Sequence, residues 1–337
     1  MRFKRYLADA EVLGDKLFNE FAYTDAVEAY QRAHAKNTSS NTLILKIAES
    51  YRRLNDPKNA LAWYEKVLND KPDVAPEYYL HYAEALSSEK KYAEAKSWYD
   101  TYGGFSAEDG RVNKKITTIN DQEELFRNVS FVTTNKADFN QEGSDFSPAF
   151  FGSKLVFVTS RPDDTSIPVK FLWDDSHYLE LYQVDENGNV SAFDKKINSK
   201  YHEGPLVFYE NDNKVIFTRN NYHKGKITTD REGITKLKLY SAEYNAEENT
   251  WNNILPLDFN NDHYSVGHPA ISSDGNFLYF SSDMPGGYGG TDLYRVYNKD
   301  NNWWRTWDQL SIPKGMSSFL SYIMIVIYTS PVTDMAG

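Results

Sequence analysis

Three short stretches in the first hundred residues share one pattern: residues 23–30 read YTDAVEAY, residues 59–64 read NALAWY and residues 92–99 read YAEAKSWY. Their alanines Ala26, Ala60 and Ala95 are 34 and 35 residues apart. Each alanine is followed four residues later by a tyrosine, namely Tyr30, Tyr64 and Tyr99. Residues four apart lie on the same face of a helix, so each stretch predicts a helix with a small side chain beside a large one.

A second pattern precedes each of these helices by the same offset, at Leu13-Gly14, Ile47-Ala48 and Tyr82-Ala83. These pairs predict a first helix that the second helix approaches closely. A period near 34 residues with this small-and-aromatic spacing resembles the tetratricopeptide repeat (TPR), a pair of antiparallel helices. Residues 1–105 are therefore predicted to form a TPR-type α-solenoid of three hairpins, in which Pro72 closes the second repeat. Residues 106–128 are predicted to be a linker, and three generic amphipathic hairpins are the alternative to a TPR stack.

The repeat also predicts which side chains face a partner-binding groove. They lie on the first helix of each hairpin and comprise Glu11, Asp15 and Phe18, then Leu45, Glu49 and Arg52, then Glu77, Leu80 and Glu84. This set contains five acids and one arginine. One interpretation is a groove for a basic peptide. The simpler one is a solvated acidic face, because a run of like charge is usually surface.

The pattern changes near residue 130 to short β-type runs separated by turn residues. Three segments align at Ser147-Pro148, Gly204-Pro205 and His268-Pro269, and each leads to a later strand containing Leu181-Tyr182, Leu239-Tyr240 or Leu293-Tyr294. Units of this length predict four-stranded blades, so residues 129–310 are predicted to form an incomplete β-propeller of about three blades. Each proline is expected to stand before the first strand of its blade.

The third segment carries the most specific motif, from Ser272-Ser273-Asp274-Gly275 through residues 278–283 to Asp292-Leu293-Tyr294. It resembles the WD40-like (PD40) repeat of TolB-type propellers. The order of helical repeats and propeller is similar to that of the Bacteroidota OmpA-family envelope proteins, including the PorE-like proteins of the type IX secretion system. That resemblance implies a periplasmic or outer-membrane location. It also implies that peptidoglycan is bound only through a C-terminal domain that this chain lacks.

Residues 311–337 contain nothing propeller-like. If their codons are read one base earlier, with free choice among synonymous codons, they give a stretch beginning Ile-Asn-Thr-Lys, similar to Ile197-Asn198-Ser199-Lys200. We therefore predict a frameshifted tail and a poorly soluble product with an exposed sheet edge. A divergent terminus is the alternative.

Composition excludes several functions. With 37 basic and 48 acidic residues the net charge is −11, and no basic stripe predicts nucleic-acid binding. There is no cysteine, hence no disulfide or thiolate metal site. The start of the chain does not predict a signal peptide, and residues 319–328 are too short an apolar run for a membrane span.

No motif predicts a reaction. The stretch around Ser106 has Glu108 where a nucleophile elbow needs glycine. The glycine-rich residues 286–290 lack the lysine and helix of a phosphate loop. His202 and His268 are expected to form structural hydrogen bonds rather than bind metal, so no catalytic residue, metal or cofactor is predicted. The repeats thus predict a non-enzymatic interaction scaffold, and the resemblance implies that its partners are envelope proteins. The alternative is a ligand- or glycan-binding propeller attached through the helical repeats.

Overall fold

A computed structural model of the chain describes residues 2–69, 73–106, 109–121, 127, 133, 135–162, 170–287, 290–299 and 302–309. The chain forms two compact units. The helical unit comprises residues 1–133 and 170–176, and the sheet unit comprises residues 134–169 and 177–337. The predicted tail and Pro72 lie outside the described residues.

Seven helices are described in the helical unit. They are α1 (Arg2–Asn19), α2 (Tyr23–His34), α3 (Asn41–Arg53), α4 (Pro57–Leu68), α5 (Glu77–Ser88), α6 (Tyr92–Gly103) and α7 (Gly110–Asn120). The first six pair as three hairpins, at the positions that the repeat predicts. Local capping sets two of the helix starts. The side chain of Ser40 accepts a hydrogen bond from the Leu43 amide, and Asp56 accepts one from the Asn59 amide just before Pro57.

The repeat residues fill the core of the helical unit as predicted. Ala26, Ala60 and Ala95 are fully buried, and so are the three tyrosines that follow them. Gly14 lies so close to Tyr30 that an added Cβ would stand 2.5 Å from the tyrosine ring. Small residues are therefore required where the two helices of a hairpin meet.

Helix α7 lies inside the range 106–128, where the sequence analysis expected a linker. Val112 is its buried residue, and Ile116 and Ile119 pack against the same core as α5 and α6. Asp109 caps its start by accepting a hydrogen bond from the Arg111 amide. The expectation of a simple linker overlooked this apolar spacing, because the helix has no alanine–tyrosine signature.

The sheet unit contains three four-stranded antiparallel sheets. Sheet 1 has β1 (Asp145–Phe151), β2 (Lys154–Thr159), β3 (Glu180–Val184) and β4 (Val190–Ala192) in that order. Sheet 2 has β5 (Glu203–Tyr209), β6 (Lys214–Asn220), β9 (Leu237–Asn245) and β10 (Thr250–Pro256). Sheet 3 has β11 (Val266–Ile271), β12 (Phe277–Ser282), β13 (Asp292–Lys299) and β14 (Asn302–Gln309). The short strands β7 (Tyr222–His223) and β8 (Lys226–Ile227) form a separate ribbon.

The recurring prolines lie within the first strands and not before them, which corrects the sequence-based expectation. In each sheet the register between the first two strands shifts at the proline and its predecessor. Ser147 and His268, which precede two of the prolines, have φ values of 53° and 59°. A β-bulge leaves a residue out of the hydrogen-bond ladder, so a proline costs little there.

Sheet 2 is buried on both faces. Val215 and Phe217 pack into a core shared with sheet 1, whereas Ile216 between them packs into a core shared with sheet 3. Alternate residues of a strand point to opposite faces, so one strand serves both cores. From sheet 3, Leu278 and Phe280 complete the second core. The three sheets stand where three blades were predicted, and closure into a propeller remains a prediction.

An asparagine clasp recurs between the sheets. In sheet 1, the Asn198 side chain accepts a hydrogen bond from the Leu181 amide and donates one to the Leu181 carbonyl, both at 3.0 Å. In sheet 2, Asn260 makes the same pair of bonds to Leu239, at 3.0 and 2.7 Å. Each clasp satisfies the backbone of the third strand where the fourth strand has ended.

Candidate functional site

The candidate site is one face of the helical unit, formed by the first helices α1, α3 and α5; we call it the first-helix face. Lys46 of α3 reaches across to α1, where its Nζ lies 2.9 Å from Glu11 Oε1 and 2.7 Å from Asp15 Oδ1. His81 of α5 lies across from α3, with its Nδ1 3.2 Å from Glu49 Oε2. Polar side chains thus link all three first helices on the same face.

Glu49 is the centre of this arrangement. Arg52 donates to both of its carboxylate oxygens, at 2.9 and 2.5 Å, and Arg53 donates to one of them at 3.2 Å. The hydroxyl of Tyr64, the buried repeat tyrosine, donates to Glu49 at 3.1 Å. Burial raises the pKa of Glu49, but the hydrogen bonds from Arg52 and His81 outweigh burial and hold it well below its usual range. Glu49 is therefore a fixed, ionised group.

Asp15 occupies the same place one repeat earlier, 34 residues before Glu49. It accepts a hydrogen bond from the Tyr30 hydroxyl at 2.7 Å, as Glu49 does from Tyr64. Burial raises the pKa of Asp15, whereas hydrogen bonds from Lys46 and Tyr30 lower it further than burial raises it. An acid on the first helix that binds the repeat tyrosine is thus part of how the hairpin packs. The 34-residue spacing of Asp15 and Glu49 is visible in the sequence, but both acids were interpreted there only as groove residues.

The nine residues predicted to line the groove divide into four groups. Glu11, Asp15, Glu49 and Arg52 lie in ion pairs, and Glu77 and Glu84 lie on α5 with at least partial exposure. Phe18 is half-buried, with its ring 5.0 Å from that of Tyr23. Leu45 and Leu80, however, are 6% and 3% exposed, so they belong to the core and offer no surface to a partner. The prediction was wrong for these two leucines, because their positions turn toward the neighbouring helix.

The expected excess of acid on this face is also corrected. Lys46, which the charge count omitted, pairs with two of the acids, and Arg52 with Arg53 surrounds a third. With Lys46 and Arg53 added, the face carries five acids against three basic residues, so it is mixed in charge and its excess of acid is smaller than five to one. Lys46 and Arg53 supply positive charge that the predicted groove positions do not include. Only the packing of the helices shows that their side chains reach this face.

Tyr78, which is half-buried on α5, was not among the predicted groove residues. Burial raises its pKa, the carboxylates of Glu49 and Glu77 raise it further, and Lys46 opposes them. Tyr78 therefore lies among charged groups of two first helices, with its ring 6.5 Å from that of His81. A tyrosine placed this way combines an apolar ring with a polar tip, as binding surfaces commonly do.

The described residues contain no group of three or more side chains able to hold a metal ion. Ser106 follows the end of α6, and its two successors lie outside the described residues. His202 Nδ1 accepts a hydrogen bond from the Leu179 amide at 3.0 Å, which is the structural bond expected of it. Among the helices that are described, none combines the length and apolar character needed to cross a bilayer.

Comparisons with known proteins found similar chains among solved structures. No protein-family profile matches the chain, and no curated protein matches it. Among solved structures, similar chains include the first TPR of Spaghetti (RPAP3) bound to an HSP90 peptide, at 16% identity and a TM-score of 0.30, covering 36% of this chain and 94% of that one. The Sgt2 TPR domain from Aspergillus fumigatus is 14% identical with a TM-score of 0.31, over 40% of this chain and 91% of that one.

The Yersinia enterocolitica type III secretion chaperone SycD, in complex with a peptide of the translocator YopD, is 19% identical with a TM-score of 0.30. The similarity covers 35% of this chain and 94% of SycD.

Proposed function

We propose that this protein is a non-enzymatic scaffold whose first-helix face binds a peptide segment of another protein. The observation that carries the proposal is a pair of polar clusters between the first helices: Lys46 contacts Glu11 and Asp15, and His81 lies 3.2 Å from Glu49. Side chains that are already held in place lose little conformational entropy when a partner binds. The two clusters therefore give the face a fixed pattern of donors and acceptors before a partner arrives.

The partner is a polar peptide with charges of both signs. Glu77 is exposed beside Tyr78, and Arg53 on α3 remains partly exposed at its single contact with Glu49. A purely basic peptide would meet Lys46, Arg52 and Arg53 as well as the acids. Like charges brought together on binding oppose association, so a basic peptide is disfavoured.

Site-specific photo-crosslinking of the full chain tests this proposal. A benzoylphenylalanine in place of Tyr78 should crosslink to a protein in an envelope extract of the source cell. The same probe in place of Lys58, an exposed residue of the second helix α4, should give no such product. Equal products at both positions, or none at either, would contradict a binding role for this face.

We also propose that the three sheets are blades of a WD40-like propeller that continues beyond sheet 3. Leu181 and Leu239 are fully buried, whereas the equivalent Leu293 is only half-buried. Within the described chain no asparagine clasps Leu293. The shifted reading of the tail would place an asparagine near position 312, which is 19 residues after Leu293. The two observed clasps span 17 and 21 residues.

Reading the nucleotides around codon 310 tests the continuation. A one-base correction that restores a clasp asparagine and further strands is the expected result. An intact reading frame through codon 337 would contradict the frameshift.

By the resemblance drawn from the sequence, the scaffold is proposed to act in the periplasm at the outer membrane as a truncated OmpA-family protein. Its envelope partners would bind the first-helix face and the propeller surface, and peptidoglycan would be bound by a domain that the resemblance places after the propeller. Fractionation of the source cell tests the location: recovery with the envelope supports it, and recovery with cytoplasmic markers contradicts it.

A further inference from the structure

A cavity of about 570 Å³ lies in the sheet unit, at one end of sheet 2. Two segments form most of its wall: residues 196–200, which lead from sheet 1 into β5, and residues 219–224, which run from the end of β6 into β7. They meet because Glu203, the first residue of β5, pairs with Arg219 near the end of β6. The volume is in the range of pockets that hold small organic ligands.

The cavity is strongly cationic although the chain as a whole is acidic. Lys196, Lys200, Arg219 and Lys224 line it, and none of its nine lining residues is an acid. Burial lowers the pKa of His223, also in the wall, and the charges of Lys224 and Arg219 lower it further. The basic lining of the wall contrasts with a net charge of −11 for the chain.

The four cations divide into two that are held and two that are available. Arg219 donates to buried Glu203 at 3.0 Å, and Lys196 donates to the Asn252 side chain at 2.5 Å. Lys200 and Lys224 are exposed, and neither has an ion-pair or side-chain hydrogen-bond partner in the part of the chain that the structure describes. The wall thus presents two ammonium groups able to bind an anion from solution.

We propose that this cavity binds a small organic ligand carrying at least two negative charges, with Lys200 and Lys224 as its ionic contacts. Tyr222 supplies a half-buried aromatic surface, and its ring is steadied by that of Tyr201 at 5.1 Å. Ile254 adds an apolar contact. Carboxylate and phosphate groups both suit two ammonium groups. The inference is independent of the function proposed for the helical unit.

Isothermal titration calorimetry of the full chain, at about 0.15 M salt, tests the proposal with citrate and pyrophosphate as probes and glucose as the neutral control. At least one anion should bind saturably and glucose should not. Binding by citrate alone identifies a carboxylate ligand, and binding by pyrophosphate alone identifies a phosphate ligand. The double variant Lys200→Glu/Lys224→Glu should weaken binding about tenfold or more, since it replaces attraction by repulsion.

The matched control is Lys195→Glu/Lys226→Glu, which changes the net charge equally at two exposed lysines outside the cavity wall. It should leave the affinity within about twofold, because charges farther away are screened by salt. If the cavity variant loses its circular dichroism signal, Lys200→Gln/Lys224→Gln replaces it. Equal weakening by control and cavity variants, or no saturable binding of either anion, would overturn the proposal.

Discussion

Sheets 2 and 3 are built from the same repeat, yet they differ in how completely they are covered. Sheet 2 contributes Val215 and Phe217 to one core and Ile216 to another, whereas the described cores of sheet 3 include one face only. On the other face Leu293 is half-buried, and Tyr297 is 47% exposed. The comparison teaches that the repeat sequence specifies a sheet with two apolar faces, and that burial of each face depends on a neighbouring sheet.

The largest expected effect is the difference between two matched truncations. Leu239→Ala should lower the free energy of unfolding by about 3 kcal/mol, because it leaves a cavity in a filled core. Leu293→Ala removes the same atoms from a half-exposed site and should cost about 1 kcal/mol. Urea denaturation followed by tryptophan fluorescence measures both. Equal losses would show that sheet 3 is covered as fully as sheet 2.

Acid should destabilise the sheet unit through two equivalent histidines, His202 and His268. Burial lowers the pKa of each to about 4 in the folded state, from 6.5. Below pH 6.5 the unfolded chain takes up protons that the folded chain does not, so stability is lost as the pH falls toward 4. Glu203 acts in the opposite direction. Burial, partly opposed by Arg219, raises its pKa to about 7, so its ionisation costs stability as the pH rises.

One histidine therefore offsets Glu203, and the net loss between pH 7.5 and 4.5 should be on the order of 3 kcal/mol. Thermal unfolding at the two pH values measures it. His268→Gln removes one of the buried histidines, so the variant should lose about 2 kcal/mol less than the parent chain between these two pH values. A variant as sensitive to acid as the parent chain would contradict the assignment.

The asparagine clasp of sheet 2 should contribute less to the free energy of unfolding than the core of sheet 2 does. Asn260→Ala leaves the amide of Leu239 without its partner, while the carbonyl keeps the hydrogen bond from the Leu257 amide, and the loss should cost about 2 kcal/mol. Asn187→Ala, at an exposed turn of sheet 1, is the matched control and should change stability by less than about 0.5 kcal/mol. If the two variants lose the same amount in urea denaturation, the clasp has no special role.

The smallest effect on stability is expected for Tyr297→Lys on the uncovered face of sheet 3. This substitution should change the free energy of unfolding by less than about 0.5 kcal/mol. It should still reduce self-association, because a charge interrupts an exposed aromatic face. Sedimentation velocity of the two proteins at equal concentration measures association. Unchanged association would show that another surface is responsible for self-association.

The sequence predicted the parts of the fold that depend on one residue in each repeat. Ala60 and Tyr64 are four residues apart, as in the other repeats, because the two helices of a hairpin must pack closely. This spacing can be recognised in the sequence. Helix α7 was missed because nothing in the sequence repeats it. The prolines were predicted to lie before the strands, because a register shift between two strands cannot be recognised from the sequence of either strand alone.

The candidate site was predicted less completely than the fold. The helical period found Glu49 and Asp15, but their bonds to Tyr64 and Tyr30 depend on distances between helices. Lys46 was left out because its backbone is not at a groove position, although its long side chain reaches α1. The cationic cavity was missed for the same kind of reason. Its lysines come from two segments about twenty residues apart, which only the pairing of β5 with β6 brings together.

Hydrogen exchange followed by mass spectrometry tests the central claim most directly, which is that three equivalent sheets are present and that the third-strand leucine is buried in sheets 1 and 2 but only half-buried in sheet 3. Peptides containing Leu181 and Leu239 should exchange slowly, because clasp and core protect their amides. The peptide containing Leu293 should exchange at least about tenfold faster, in proportion to its easier local opening. Equal, slow exchange of all three peptides would contradict the account.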